Sequence, residues 1–258
     1  MAHRLVRLNT LAVVLLLAFT GTSAFAQSAD SDSSFMLRSE VCDATENLVF
    51  DGDEANRSVS DQVNLGPRIP GSNASADLRN IISQQGQENG WTVDTSVHTR
   101  HNITLTNLFL THTGNGGPGQ PMLVLSAHYD SRNKADQDSN QTNTTLAVPG
   151  ANDGASGTAI LMEFIDIVPS LNLNHSVTLF FNDAEDQNEN YTEGAEAWSE
   201  TLSADEIENI AAFVLLDMVG DADLQLHNIE PGNSTLKQRL VVLGGALGLI
   251  AGEEGCDG

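Results

Sequence analysis

The chain is short of positive charge. Among its 258 residues only Lys134 and Lys237 are lysines, and the formal net charge is −24. So little to neutralise phosphates argues against binding nucleic acid or an anionic membrane. An acid excess with scarce lysine also suits a salt-rich environment. Cysteine is equally scarce. Cys42 and Cys256 lie near opposite ends; they leave one bridge open but make neither a disulfide framework nor a cysteine metal cluster. No apolar run reaches the roughly 18 residues of a membrane helix, so no stable membrane span is expected. Repeats and a linker to a second domain are absent too.

What is present begins with a leader. Met1 to Ala26 carries Arg4 and Arg7, an apolar run from Leu11 to Phe19, then Ala24-Phe25-Ala26. This is the plan of a secretory signal peptide. A protein exported to the periplasm or the exterior is expected, starting near Gln27, with 27–45 a flexible leader and 46–258 one domain. Loss of Arg4 and Arg7 makes the mature chain more acidic still. Sequons at Asn56, Asn73, Asn102, Asn140, Asn143, Asn174, Asn190 and Asn233 would permit glycosylation there.

Along the chain, helices are expected from Glu46 to Val63 and from Asp77 to Gln85, with a rigid Gly66-Pro-Arg-Ile-Pro-Gly71 loop between them. Trp91 to Val97 and Ile103 to Thr111 read as a β-hairpin. Met122 to Ala127, Val177 to Phe181 and Ala211 to Leu216 are short, nearly continuous apolar runs, as in strands covered on both faces. Helical segments after Asp153 and from Glu193 to Leu202 intervene, and an apolar core helix is expected from Leu236 to Ala251. This alternation predicts an α/β fold, a three-layer sandwich with a mostly parallel central sheet.

The stretch Val148 to Glu163 stands out. Pro149 and Gly150 make a turn, Asn152 and Asp153 follow, and Gly154-Ala-Ser-Gly157 opens a helix with almost no side chain. Glycines are poor helix formers, so their reason is steric: they admit a close approach at the helix start. Taken alone, Asp153 is as well explained as a helix cap.

Each buried strand runs directly into ionisable residues: His128-Tyr-Asp130 after the first, Asn182-Asp-Ala-Glu185-Asp186 after the second, Asp217 after the third. In a parallel sheet these ends share one edge, where ligand sites of open α/β sheets collect. Several carboxylates cannot crowd there unpaired, and a divalent cation resolves the conflict. One imidazole among carboxylates suits zinc. Singly, each residue has a plainer reading: a buried hydrogen-bonded histidine, a turn aspartate, a solvated acidic loop. Four chain positions together outweigh them. His98, His101, His112 and His175 lack such context and are expected at the surface.

The strings H-Y-D-S, P-G-A-N-D-G-A-S-G, F-F-N-D-A-E-D and L-L-D-M-V-G, in this order and spacing, resemble the zinc aminopeptidases of metallopeptidase family twenty-eight and their glutaminyl cyclase relatives. Gly66 to Ser72 is similar to the segment preceding this domain, so the resemblance covers about Asn64 to Gly220. It implies a zinc peptidase-type catalytic domain over 46–258, holding one or two zinc ions. His128, Asp153 and Asp217 would bind one zinc, Asp153 would bridge to a second position shared with Asp186, Asp130 would orient His128, and Glu185 would be the general base. The substrate implied is a peptide with a free N-terminus. Two departures stand out. The family pair Glu-Glu is here Glu185-Asp186. The family's last histidine ligand, from a loop well beyond the Asp217 position, has no counterpart; only His227 follows, which implies a fragment lacking its C-terminal strand.

Both branches would use this pocket. Hydrolysis by an aminopeptidase needs Glu185 to activate zinc-bound water; cyclisation of an N-terminal glutamine needs it to carry a proton from the α-amine to departing ammonia. Hydrolysis ranks first because His128 and Asp130 are both present for a second metal. An inactive metal-binding ectodomain is a third reading, which the missing histidine favours and Glu185 opposes.

Overall fold

The structure is a computed structural model that describes residues 50–117, 119–187, 190–221, 224, 233, 234, 236 and 237. The signal peptide, the leader, both cysteines, His227 and nearly all of the helix expected from Leu236 lie outside the described residues. Contacts divide the chain into two units, and the fold set out here is that of Asp53–Gly220.

Two helices come first, α1 (Gly52–Asn64) and α2 (Asn73–Glu88). Ser72 caps α2 by accepting from the Ser75 N–H, so the helix starts four residues before Asp77. Strands β1 (Thr92–Arg100) and β2 (Ile103–His112) pair antiparallel as the expected hairpin, turning through His101 and Asn102, both at positive φ. Then follow β3 (Met122–His128), α3 (Ala155–Ile167) and β4 (Ser176–Asn182). Two-residue strands β5 (Asp186–Gln187) and β6 (Asn190–Tyr191) form a small ribbon. Helices α4 (Glu193–Ser199) and α5 (Ala204–Asn209) lead into β7 (Ile210–Leu215). Ser203 and Glu206 close a capping box on α5, a short helix that apolar periodicity does not signal.

The five-stranded sheet has the order β1-β2-β4-β3-β7. The three apolar runs β4, β3 and β7 lie side by side and parallel, and the hairpin adds two antiparallel pairings at one edge. Helices cover both faces, and β2 shows why. Its residues alternate: Leu110 lies under α2, so close that a Cβ on Gly86 would come within 2.5 Å of it. Asn107 donates to the Gly194 carbonyl of α4 on the opposite face, and Phe109 packs beside Trp198 there. Trp198 also touches Phe180 and Phe213, giving that layer an aromatic core. On the α2 side, α3 is buried along nearly its whole length. Among the described residues no helix is long and apolar enough to cross a membrane.

Candidate metal centre

Register brings the strand ends together. His128 at the end of β3 stands opposite Asn182 at the end of β4, and Tyr129 donates to the Asn182 carbonyl at 3.1 Å. Leu216, just past β7, donates to the Ser126 carbonyl at 2.8 Å, which sets Asp217 beside His128. Parallel neighbours with level ends present their following residues on one edge.

His128 is the centre of the group. The buried ring points Nδ1 at Asp130 Oδ1, 3.2 Å away, and Nε2 at Asp153 Oδ1 and Asp217 Oδ1, at 2.9 and 3.5 Å. The Asp130 contact assigns the proton to Nδ1 and turns the Nε2 lone pair outward. That Nε2 is buried and makes no hydrogen bond of acceptable geometry, although a carboxylate oxygen stands in front of it. An orphaned ring nitrogen facing two carboxylates fits a cation. His128, Asp153 and Asp217 each offer one atom, all within 4.8 Å of one another. Electrostatics agree. Burial opposes a charge on His128, yet the surrounding Asp130, Asp153 and Asp217 outweigh it and hold the imidazole pKa well above its usual value. The carboxylates demand a positive charge, whether proton or metal.

The donors around this group separate ligands from supports. Asp130 is buried and accepts from the backbone N–H of Glu185 at 3.0 Å, of Asp186 at 3.2 Å and from Gln187 Nε2 at 2.7 Å. Burial alone would push its pKa up; the His128, Gln187 and Glu185 contacts bring it below the usual range. Asp130 thus fixes His128 and the Glu185 loop together. Glu185 carries few such partners. Burial, with Asp130, Asp217 and Asp186 adding repulsion against the attraction of His128, raises its carboxyl to about 7. Asp183 beneath it also rises to about 7, through burial first and Asp130 second. Between them Ala184 sits at φ +55°, a left-handed conformation of the kind found where a loop is held under constraint.

Asp153 is no helix cap. Gly154 occupies the cap position of α3 at φ +93° with no side-chain cap bond, leaving the Asp153 carboxylate free to face His128. The bare turn has its steric reason, but protein fills the gap rather than an approaching ligand. A Cβ on Gly154 would lie 2.4 Å from the Asp130 carbonyl, and one on Gly157 2.3 Å from the Leu216 carbonyl. Both strand ends pack directly on the helix start.

Sequence patterns left several supports unassigned. Buried Arg68, inside the expected rigid loop, donates to the carbonyls of Pro149 and Gly150 at 2.7 Å and holds the approach to Asp153. Asn152 Oδ1 accepts from Gly220 N–H at 2.7 Å and Ser156 Oγ from Val219 N–H at 3.1 Å, which anchors the loop after Asp217. Thr158 donates to the His128 carbonyl at 2.9 Å. Asn152 and Ser156 belong to the helix-start motif and Arg68 to the Gly66–Ser72 segment; Thr158 carries no local signal. Asp186 lies at the same edge, where Arg132 binds it, and it is not one of the three clustered ligands. His98, His112 and His175 are half-buried rather than at the surface, and only His101 is exposed.

An α/β sandwich whose parallel strand ends hold a His-Asp-Asp cluster beside a carboxyl of raised pKa defines a zinc-exopeptidase-like architecture. The pattern of Peptidase family M28 matches residues 107–253, more than half of the chain, and the chain belongs to that family. Among solved structures it is similar to Porphyromonas gingivalis glutaminyl cyclase, at 28% identity and TM-score 0.59 over 66% of this chain and 62% of that one. It is similar also to a leucine aminopeptidase precursor from Bacteroides thetaiotaomicron VPI-5482, at 26% identity and TM-score 0.58 with the same coverage. A Zn-dependent exopeptidase from Parabacteroides distasonis ATCC 8503 shares the fold at 23% identity and TM-score 0.58, again over 66% and 62%. The chain therefore spans about three-fifths of the length of these structures. No curated protein matches it.

Proposed function

We propose that the chain carries the catalytic centre of an exported zinc enzyme acting on the N-terminal residue of peptides, by aminopeptidase-type hydrolysis. The observation that carries the reading is the orphaned His128 Nε2 facing Asp153 and Asp217, with Glu185 poised near neutrality beside them. Three protein ligands with solvent access are the pattern of a catalytic zinc rather than a closed structural one. When bound, zinc supplies Lewis acidity that polarises a carbonyl and acidifies a nucleophilic water.

The chain's own residues do the rest. Glu185, whose carboxyl burial raises to about 7 in the metal-free protein, can take a proton at its carboxylate and return it within one turnover. In hydrolysis the proton comes from water and goes to the leaving amine. Asp130 keeps the Glu185 loop and the His128 ring in fixed relation. The acidic edge suits a substrate with a free, positively charged α-amine.

Cyclisation of an N-terminal glutamine is the second reading, favoured by a specific observation. Asp186 is engaged by Arg132, which leaves one three-residue cluster at the edge among the described residues. The relative from Porphyromonas gingivalis is also a glutaminyl cyclase by name. Here Glu185 would carry a proton from the α-amine to the departing ammonia.

One assay separates the two. Purified protein is incubated with a peptide beginning in Gln and products are weighed by mass spectrometry. Hydrolysis removes the first residue, cyclisation removes ammonia alone, and a chelator stops either. No product from any peptide would leave the binding-domain reading standing. Export predicts a mature N-terminus near Gln27 on Edman sequencing.

A further inference from the structure

We infer that Asn107 is a positioning residue for Glu185: its buried side-chain amide clasps both arms of the hairpin that carries Glu185 and so sets where that carboxyl stands. This rests on the reading of Glu185 as the proton carrier.

The hairpin grows out of the end of β4. Its arms, 183–187 and 190–194, are joined by the pairs Asp186–Tyr191 and Gln187–Asn190 of the β5–β6 ribbon. Closer to the sheet, Thr192 N–H donates to the Glu185 carbonyl at 2.9 Å and Glu193 N–H to the Ala184 carbonyl at 3.1 Å. The arms then reach Asp183 and Gly194, and there a side chain makes the link. Asn107 Oδ1 accepts from Asp183 N–H at 3.1 Å, and Nδ2 donates to the Gly194 carbonyl at 2.8 Å. The fit is tight: a Cβ on Gly194 would lie 2.2 Å from the Asp183 carbonyl oxygen and 2.6 Å from Asn107 Oδ1.

Asn107 belongs to β2, not to the hairpin. The β2–β4 ladder ends at Leu108–Phe181, so Asn107 is the first residue beyond it and its side chain takes over from the backbone pairing. Beside it, Thr106 N–H donates to Asp183 Oδ2 at 2.8 Å, which ties the chain leaving β4 to two consecutive residues of β2. A planar amide is the group this place needs, because it meets an N–H and a C=O at once. Asn107 is wholly buried, so breaking the clasp leaves two backbone groups without a partner.

Glu185 is thereby held from two strands. Asp130, beyond β3, accepts from its N–H at 3.0 Å, while the hairpin rooted on β2 holds its carbonyl. Ala184 and Thr192, one on each arm, sit at φ +55° and +61°, conformations that persist only where the surroundings enforce them. Both side-chain bonds of Asn107 go to backbone, so it acts on the reaction through where the hairpin sits.

The test uses the full chain and compares Asn107→Ala with Ile82→Ala, a truncation in the buried face of α2. With zinc and a peptide beginning in Gln, Asn107→Ala should lose about 10²-fold in kcat while KM and zinc content stay those of wild type, because a displacement of about 1 Å costs that much. Ile82→Ala should melt earlier yet keep wild-type kcat wherever it is folded. In the metal-free protein, hydrogen exchange read by mass spectrometry should find 183–187 and 190–194 as protected as β4 in wild type, and about tenfold faster in Asn107→Ala alone. If circular dichroism shows Asn107→Ala unfolded, Asn107→Asp replaces it: it keeps the bond to Asp183, loses the one to Gly194, and should fall between the two in kcat. Wild-type kcat in a folded Asn107 variant, an equal loss of kcat in Ile82→Ala, or arms that exchange like free peptide in wild type would each overturn the inference and leave the enzyme reading intact. No turnover by wild type would overturn both.

Discussion

Two sets of carboxylates sit at the same sheet edge, Asp130, Asp183 and Asp217 within two residues of a strand and Asp153 just before α3, and their surroundings differ. Asp130 and Asp183 form the lower set. Both are buried, and each accepts from backbone N–H groups: Asp130 from Glu185 and Asp186, Asp183 from Thr106 at 2.8 Å and Ala184 at 3.0 Å. Asp153 and Asp217 form the upper set. Their side chains are 40% and 42% exposed, and among the described residues only His128 faces them. A carboxylate with its lone pairs used by donors is placed as a support; one left facing a bare imidazole nitrogen is open to a cation. Residue type and position after a strand do not distinguish them; donors do.

The contrast can be broken by substitution. The largest effect belongs to the carboxyl between the sets. Glu185→Gln should lower turnover by about 10²–10⁴-fold while zinc content stays that of wild type. Wild-type turnover would remove Glu185 as the proton carrier. Next, Asp130→Ala strips a partner from buried His128 and orphans the Gln187 amide, and should cost about 3–5 kcal/mol in urea unfolding. Asp217→Ala in metal-free protein should cost no more than about 1 kcal/mol, yet lose zinc affinity. Equal costs for the two would mean that the sets do not differ.

The close packing of both strand ends on α3 predicts that Gly157→Ala destabilises by about 1–3 kcal/mol, since its Cβ would meet the Leu216 carbonyl. A melting temperature unchanged from wild type would show that the helix start has slack. The last effect is one of pH. Burial raises Glu185 to about 7 from an ordinary 4.5, so the folded metal-free protein binds this proton more tightly than the unfolded chain. That contribution is complete below about pH 4.5 and is lost as pH rises through about 7. Metal-free Glu185→Gln should therefore gain on wild type between these values and hold the gain above them. Asp183 is common to both proteins and cancels. An identical difference at pH 4 and pH 8 would contradict a raised carboxyl.

Much of this was legible in the chain. The three apolar runs, the hairpin and the order of polar residues after each strand come from local pattern, and they brought His128, Asp153 and Asp217 forward together. Asp153 is ambiguous in sequence, because a helix cap and a ligand look alike there; Gly154 at the cap position excludes the cap. Arg132 was invisible as a partner of Asp186, since nothing local ties residues that far apart. The Gly154–Gly157 turn was recognised as steric, but what it makes room for depends on carbonyls contributed by β3 and β7.

The sequence by itself determined which side chains reach the edge, because apolar runs of strand length must be buried and the polar residues that end them must emerge. Only the tertiary structure decided what each carboxylate does there. Its donors come from elsewhere in the chain: Gln187 to Asp130, Thr106 to Asp183, Arg132 to Asp186. A carboxylate's role follows from the charge and hydrogen bonds folded around it, and those are long-range.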